Sequence, residues 1–201
     1  MYIKKIEDGP MMANCYIVYD ESKNGFLIDP VYPKGKIEKF IEVNNIKIDF
    51  ILLTHTHFDH LLGLKYFKNK YNVDVYASED SKDIAKDPDY NLSRGFRDLD
   101  IEINRFLKDG EIFSKYNIRA IKTPGHSLDS MSYKLGNNIF TGDTLFKQSI
   151  GRSDFPGGSY NNLISSIINK LFIYDDDVII YPGHGEESKI GYEKRNNPFL
   201  N

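Results

Sequence analysis

The stretch Thr54-His55-Thr56-His57-Phe58-Asp59-His60, "THTHFDH", packs three of the chain's five histidines and an aspartate into seven positions. Imidazole and carboxylate both offer a lone pair that a divalent cation accepts without redox chemistry at the protein. An HxH pair also arises by accident in polar turns, so the surrounding sequence has to separate the two cases. Upstream, "DFILLT" (49–54) reads as a short, fully buried strand running straight into the loop. Downstream, "LLGLKYFKNKY" (61–71) places Leu61, Leu64 and Phe67 at helical spacing. The histidines therefore sit between a strand end and the first turn of a helix, where binding groups are commonly mounted.

The remaining histidines share that context. His126 lies in "TPGHS" (123–127) and His184 in "YPGHG" (181–185), each after an apolar run and beside glycine, and "FTGD" (140–143) puts Asp143 in the same setting. Glycine allows the backbone to turn sharply and approach a ligand closely. If these strand ends converge at one sheet edge, every histidine of the chain joins Asp59 and Asp143 in one cluster. Seven such donors exceed what one tetrahedral zinc takes, and suit two ions about 3.5–4 Å apart that share a carboxylate. The chain has no GxSxG elbow, no GxxxxGK[ST] loop, no GxGxxG, no HExxH and no cysteine pair, which leaves the competing chemistries with little support and narrows the field to N/O metal ligands.

Further out, "NCYIVYD" (14–20) and "GFLIDP" (25–30) read as a β-hairpin, with the Asn-Gly of "ESKNG" (21–25) expected at its turn. "KGKIEKFIEVNN" (34–45) reads as a helix and "VDVYAS" (73–78) as a strand. The polar segment 79–110 is expected to form short helices and loops beside the metal cleft, contributing to substrate access rather than to the core. Strands follow in 111–126, with a turn at Tyr116 and Asn117, and in 137–146 after a turn at 136–138; helix "SYNNLISSIINKLFIY" (159–174) then precedes the strand of "VIIYPGHG" (178–185). Strands followed by a helix in each half suggest two sheets with helices outside them.

With 201 residues and 40% hydrophobic composition, one domain spanning 1–201 is expected. A net charge of −3 calls for neither nucleic acid nor an anionic membrane as partner. No secretory signal pattern or run of ~18 apolar residues is present, and a cytoplasmic location is expected. The single cysteine, Cys15, cannot form an internal disulfide and reads as a buried structural thiol in "CYIVY" (15–19).

HxHxDH at a strand end, followed by Gly-His, Gly-Asp and a final Gly-His, resembles the metallo-β-lactamase-fold superfamily over nearly the whole chain, starting at "LIDP" (27–30). Within it, "TGDTLFKQSIGRSDFPGGS" (141–159) and "RNNPFL" (195–200) look like the glyoxalase II type of thioester hydrolase, in its short single-domain relatives. The resemblance implies an α/β, layered αββα sandwich: two mixed β-sheets flanked by helices, with the metal site at one sheet edge. It implies His55, His57 and His126 on a first ion, Asp59, His60 and His184 on a second, and Asp143 bridging. Asp29 would orient a ligand from behind, and Asp59 would also orient the nucleophile and handle its proton. The cofactor implied is two divalent ions, zinc first and iron or manganese next; the substrate is a small acyl-thiol, attacked at its carbonyl by metal-bound hydroxide.

Full-length glyoxalase II continues into a helical, glutathione-contacting domain; residues 1–201 match only its catalytic part, and no such domain is expected here. Lys147 and Arg152 are then the nearby candidates for contact with an acidic substrate, an internal Arg152–Asp154 ion pair being the competing expectation. Persulfide dioxygenases share a "GR[ST]DF" stretch but use one iron on two histidines and an aspartate, which leaves an oxidoreductase as the alternative. A metal-bearing binding module without turnover is the third reading.

Overall fold

The computed structural model describes residues 1–95, 99, 101–113 and 116–200. Its first sheet consists of β1 (Tyr2–Asp8), β2 (Ala13–Tyr19), β3 (Asn24–Ile28), β4 (Lys47–Leu52), β5 (Asp74–Ser78) and β6 (Arg105–Leu107), side by side in chain order. Strands β1 to β3 pair antiparallel and β3 to β6 parallel. Helices α1 (Gly35–Val43), α2 (Phe58–Leu61), α3 (Leu64–Tyr71) and α4 (Ser81–Ile84) lie between these strands in sequence.

The second half contributes β7 (Ile112–Phe113), β8 (Ile118–Lys122), β9 (Met131–Leu135) and β10 (Asn138–Gly142). A small ribbon of β11 (Leu145–Phe146) and β12 (Ser149–Ile150) follows, then β13 (Ile179–Pro182) and β14 (Ser188–Lys189). The second sheet runs β14-β13-β10-β9-β8-β7. Helix α5 (Tyr160–Ser166), extended by π-helical turns over Ile167–Leu171, and α6 (Ile190–Asn196) complete the chain.

Period-two alternation along the strands builds the layers. In β2, Cys15 and Ile17 point to one face, where they join Leu27, Ile37, Ile51 and Phe67 under α1 and α3. Tyr16 and Val18 point to the other, meeting Phe26, Ile28, Phe50, Tyr133 and Phe140 between the sheets. Phe26 stacks on Phe50 at 4.8 Å between ring centroids, and Tyr16 meets Phe140 edge-on at 5.2 Å. On the far side, Ile139 and Ile180 pack with Leu163, Ile167, Leu171 and Ile190. The result is helix, sheet, sheet, helix, as expected for the αββα sandwich.

The pairing pattern explains why the motifs meet. Strands β8 and β10 are each antiparallel to β9, and β13 is parallel to β10, so β8, β10 and β13 run the same way. His126, Asp143 and His184 therefore leave the same end of one sheet. In the other sheet, β3 and β4 are parallel and deliver Asp29 and the 54–60 loop to a common edge.

Several local expectations are corrected. The hairpin exists, but its turn is Asp20–Lys23, with Lys23 N–H donating to the Asp20 carbonyl (3.0 Å) and Lys23 at φ +65°. Asn24 and Gly25 already belong to β3. Gly25 is there because its backbone lies against β2: a Cβ would stand 2.1 Å from the Val18 carbonyl oxygen, at a register shift between Gly25 and Leu27. The helix expected over 61–71 is broken at Leu62–Gly63. Segment 79–110 is not a peripheral lid as a whole: β6 extends the first sheet, and Ala85, Ile101 and Leu107 are buried. Its polar composition hid a short edge strand. Residues 96–98 and 100 of that segment, and 114–115 of the turn before Tyr116, lie outside the described residues. Cys15 is buried and unpaired, and its thiol is pushed up by burial first, with Asp29 adding to it. Among the described residues no helix is long and apolar enough to cross a membrane.

Gly25→Ala is expected to force β2 and β3 apart, costing about 2 kcal/mol and lowering Tm by roughly 4–8 °C in a circular-dichroism melt. An unchanged Tm would show that the strand shifts without cost.

Candidate metal centre

All seven donors meet at the shared sheet edge. Donor atoms of His55, His57 and His126 lie within 4.8 Å of one another, as do those of Asp59, His60 and His184, and those of His55, His60 and Asp143. His57 Nδ1 faces His126 Nε2 at 2.9 Å. In the other set, Asp59 Oδ2 stands 3.3 Å from His184 Nε2 and 3.7 Å from His60 Nε2. Asp143 is between the sets: Oδ2 is 3.6 Å from both His126 Nε2 and His184 Nε2, and Oδ1 is 3.5 Å from His60 Nε2. Gly183 makes room for it, since a Cβ there would lie 2.1 Å from Asp143 Oδ1.

Three of the imidazoles are aimed by a partner behind them. His60 Nδ1 lies 3.0 Å from Asp29 Oδ2; a carboxylate only accepts, so His60 donates from Nδ1 and turns Nε2 toward the cluster. Thr54 Oγ1–H donates to the same Asp29 oxygen (2.6 Å), leaving its lone pair to accept from His55 Nδ1 (3.1 Å). Asp29 thus orients one histidine in each set. His126 Nδ1 donates to the Arg152 carbonyl (2.8 Å). The guanidinium of Arg152 pairs with Asp154 (2.7 Å), and Lys147 pairs with Glu186 (2.6 Å), both on the surface. Arg152 lines the cleft and Lys147 stands outside its lining.

Asp129 was not singled out from the sequence. It is buried beneath the loops, accepting from Thr56 Oγ1 (2.6 Å), Ser81 Oγ (2.9 Å) and Ser127 Oγ (2.8 Å). It therefore ties the His55/His57 loop, the His126 loop and α4 to one carboxylate. Burial raises its pKa, and the three hydroxyl donors work against that rise. "HSLD" (126–129) carries only a weak signal for such a role, because an Asp three residues past a histidine is ordinary in a turn.

The donor set passes a direct test for a cation. His55 Nε2, His57 Nε2, His60 Nε2 and Asp143 Oδ1 are buried and have no hydrogen-bond partner. Buried polar atoms are almost always satisfied, so three such orphans on His55, His60 and Asp143, residues of one donor group, describe a place for a positive ligand. Without an ion the charges are strained in opposite directions. Burial, with the neighbouring histidines adding, pushes His55 well below the usual imidazole range and His57 down to about 2. Burial also opposes charge on His60, but Asp59, Asp143 and Asp29 outweigh it and lift His60 to about 10. For Asp59, burial is outweighed by His60 and His184, which hold the carboxyl below its ordinary range.

The sequence comparisons agree with the geometry. Residues 8–184 match the Metallo-beta-lactamase superfamily. The chain is 34% identical to hydroxyacylglutathione hydrolase GloC of Haemophilus influenzae, over 100% of this chain and 99% of that protein. Among solved structures, the BLEG-1 B3 metallo-beta-lactamase superposes with a TM-score of 0.90 at 32% identity, covering 99% of both chains. TTHA1623, solved in a di-iron-bound form, gives 0.88 at 27% identity, covering 98% of this chain and 100% of its own. The chain belongs to the metallo-beta-lactamase superfamily, with the clustered histidines and aspartates of a metallo-hydrolase.

Two outcomes are expected. At pH 7 the metal-free His60 is protonated, because its raised pKa lies above neutrality, so an ion taking Nε2 must displace that proton. Calorimetric zinc loading in buffers of different ionisation enthalpy should show at least about one proton released per chain, with affinity weakening as pH falls. Asp129→Ala, which takes the acceptor from the buried Thr56 and Ser81 hydroxyls and leaves Ser127 only Ser130 Oγ, should cost about 2–4 kcal/mol in urea unfolding.

Proposed function

We propose that the chain is a dinuclear-metal hydrolase that cleaves a thioester. The observation that carries this is Asp143 Oδ2, equidistant at 3.6 Å from one histidine of each donor set, where a carboxylate would serve two ions at once. The first ion would be held by His55, His57 and His126, and the second by Asp59, His60 and His184. The identity with the hydroxyacylglutathione hydrolase supports the thioester. Zinc suits the N/O donor set, and the di-iron form of TTHA1623 keeps iron as the other metal to test.

When bound, two such ions lower the pKa of water and polarise a carbonyl. The chain's own contribution is positional. Asp59, at the start of α2 and 14% exposed, combines a place in the second donor set with access to the cleft, which supports it as the group that would orient the attacking water and accept its proton. Asp29 and the Arg152 carbonyl hold His60, His55 and His126 in the tautomers that present their remaining nitrogens. A thiolate leaves without strong acid assistance, which fits a cleft that holds no lysine or tyrosine among its described lining residues.

Asp143→Asn keeps the side chain's shape and removes the charge that offsets repulsion between two dications about 4 Å apart. The variant is expected to fold, to retain close to one ion per chain by elemental analysis, and to lose at least about 100-fold in thioesterase activity. Asp154→Asn, at the surface pair, should leave metal content unchanged. One iron per chain with oxygen uptake on persulfides would replace this reading with the dioxygenase; two ions and near-normal turnover in Asp143→Asn would remove the bridge.

A further inference from the structure

The cleft over the donors encloses about 260 Å³. Apart from the donors and Arg152, its described lining is Met11, Phe58, Leu92, Phe146, Ile150 and Phe155. These apolar groups stand against the reacting centre itself. The Phe155 ring meets His57 edge-on at 5.5 Å and His126 at 5.9 Å, and Phe146 meets His184 at 6.3 Å. Both donor sets thus carry an aromatic wall.

Leu92 is held in this wall at a conformational cost. Its φ is +60°, a left-handed conformation that disfavours leucine. Flanking bonds fix it: Asn91 Nδ2 donates to the Ala85 carbonyl, Ser93 N–H to Asn91 Oδ1, and Phe58 N–H to the Asn91 carbonyl at 2.8 Å. The last of these clips the Leu92 turn to the metal loop. Arg152 lies over the Phe155 ring at 4.3 Å while ion-paired to Asp154, so its charge is already shared and its stem extends the apolar surface.

We propose that this cleft selects its thioesters by an apolar acyl chain packed against Phe155, Leu92 and Phe146, rather than by charge on the thiol carrier. The inference rests on the hydrolase reading above and names its substrate class. The reaction is plain hydrolysis: the carbonyl C–S bond breaks, a C–O bond to water forms, and acid and thiol leave without oxidant or reductant. Each methylene moved from water into such a wall is worth roughly fourfold in binding.

The test is a two-by-two panel on the zinc-loaded chain: acetyl and hexanoyl thioesters of neutral N-acetylcysteamine and of glutathione. The expected kcat/KM for hexanoyl exceeds that for acetyl by at least about tenfold on either thiol, with the change of thiol worth less than about threefold. Phe155→Ala and Leu92→Ala should each shrink the hexanoyl-to-acetyl ratio by about fivefold. As a readout without turnover, the uncleavable thioether analogue of the hexanoyl substrate should bind with a negative heat-capacity change that weakens in Phe155→Ala. Cleavage with no chain-length preference, or a tenfold preference for glutathione carriers, overturns this inference and leaves the hydrolase standing. Two bound ions with no cleavage of any thioester overturns both.

Discussion

A single buried carboxylate, Asp29, is the constraint on which the centre depends. Its Oδ1 accepts the Thr54 backbone N–H (2.8 Å), and its Oδ2 accepts both the Thr54 hydroxyl and the His60 imidazole. It sits one residue beyond β3 at φ +49°, so the chain turns away at once and leaves the side chain pointing along the sheet edge. The Thr54 carbonyl in turn accepts from Met131 N–H (2.7 Å), which carries the same register across to the second sheet. Burying this charge is repaid because every partner is a donor. A side chain without an acceptor there would leave His60 without the bond that fixes its tautomer, and Thr54, the partner of His55, without its own anchor.

The centre also depends on the seam between the sheets. One sheet supplies His55, His57, Asp59 and His60; the other supplies His126, Asp143 and His184. Neither alone assembles a complete set of either kind. Rings that cross the seam, Tyr16 on Phe140 and both Phe26 and Phe50 on Tyr116, hold the two halves in register, so a core of aromatic contacts sets distances between polar atoms at its edge. Asp129 works at the same seam, joining hydroxyls from both sides.

The donors were legible in the sequence because each signal is short-range: four crowded into 55–60 after the apolar run 50–53, and His126, Asp143 and His184 each following a glycine at the end of an apolar run. The layered fold was legible because strand alternation in 14–30 and the helical spacing in 34–45 are strong local patterns. What was hidden is non-local. Lys23 takes the left-handed turn position that Asn-Gly was expected to fill, because Gly25 is consumed by close contact with Val18 on the neighbouring strand. Strand β6 is three residues of mixed character, and only its pairing with β5 makes it a strand. Asp129 is a carboxylate in a polar turn until Thr56 and Ser81, distant in sequence, are brought onto it.

Strand β2 clamps the last donor loop. Asn14 N–H donates to the Gly183 carbonyl (2.7 Å), Asn14 Nδ2 to the Pro182 and Gly185 carbonyls (2.9 and 3.0 Å), and the Tyr16 hydroxyl to Pro182. These bonds seat 182–185 on β2, and the same seating brings His184 to Asp59 and His60. The packing of one loop and the completion of the second donor set therefore rest on the same few carbonyls, and loosening Asn14 would disturb both together.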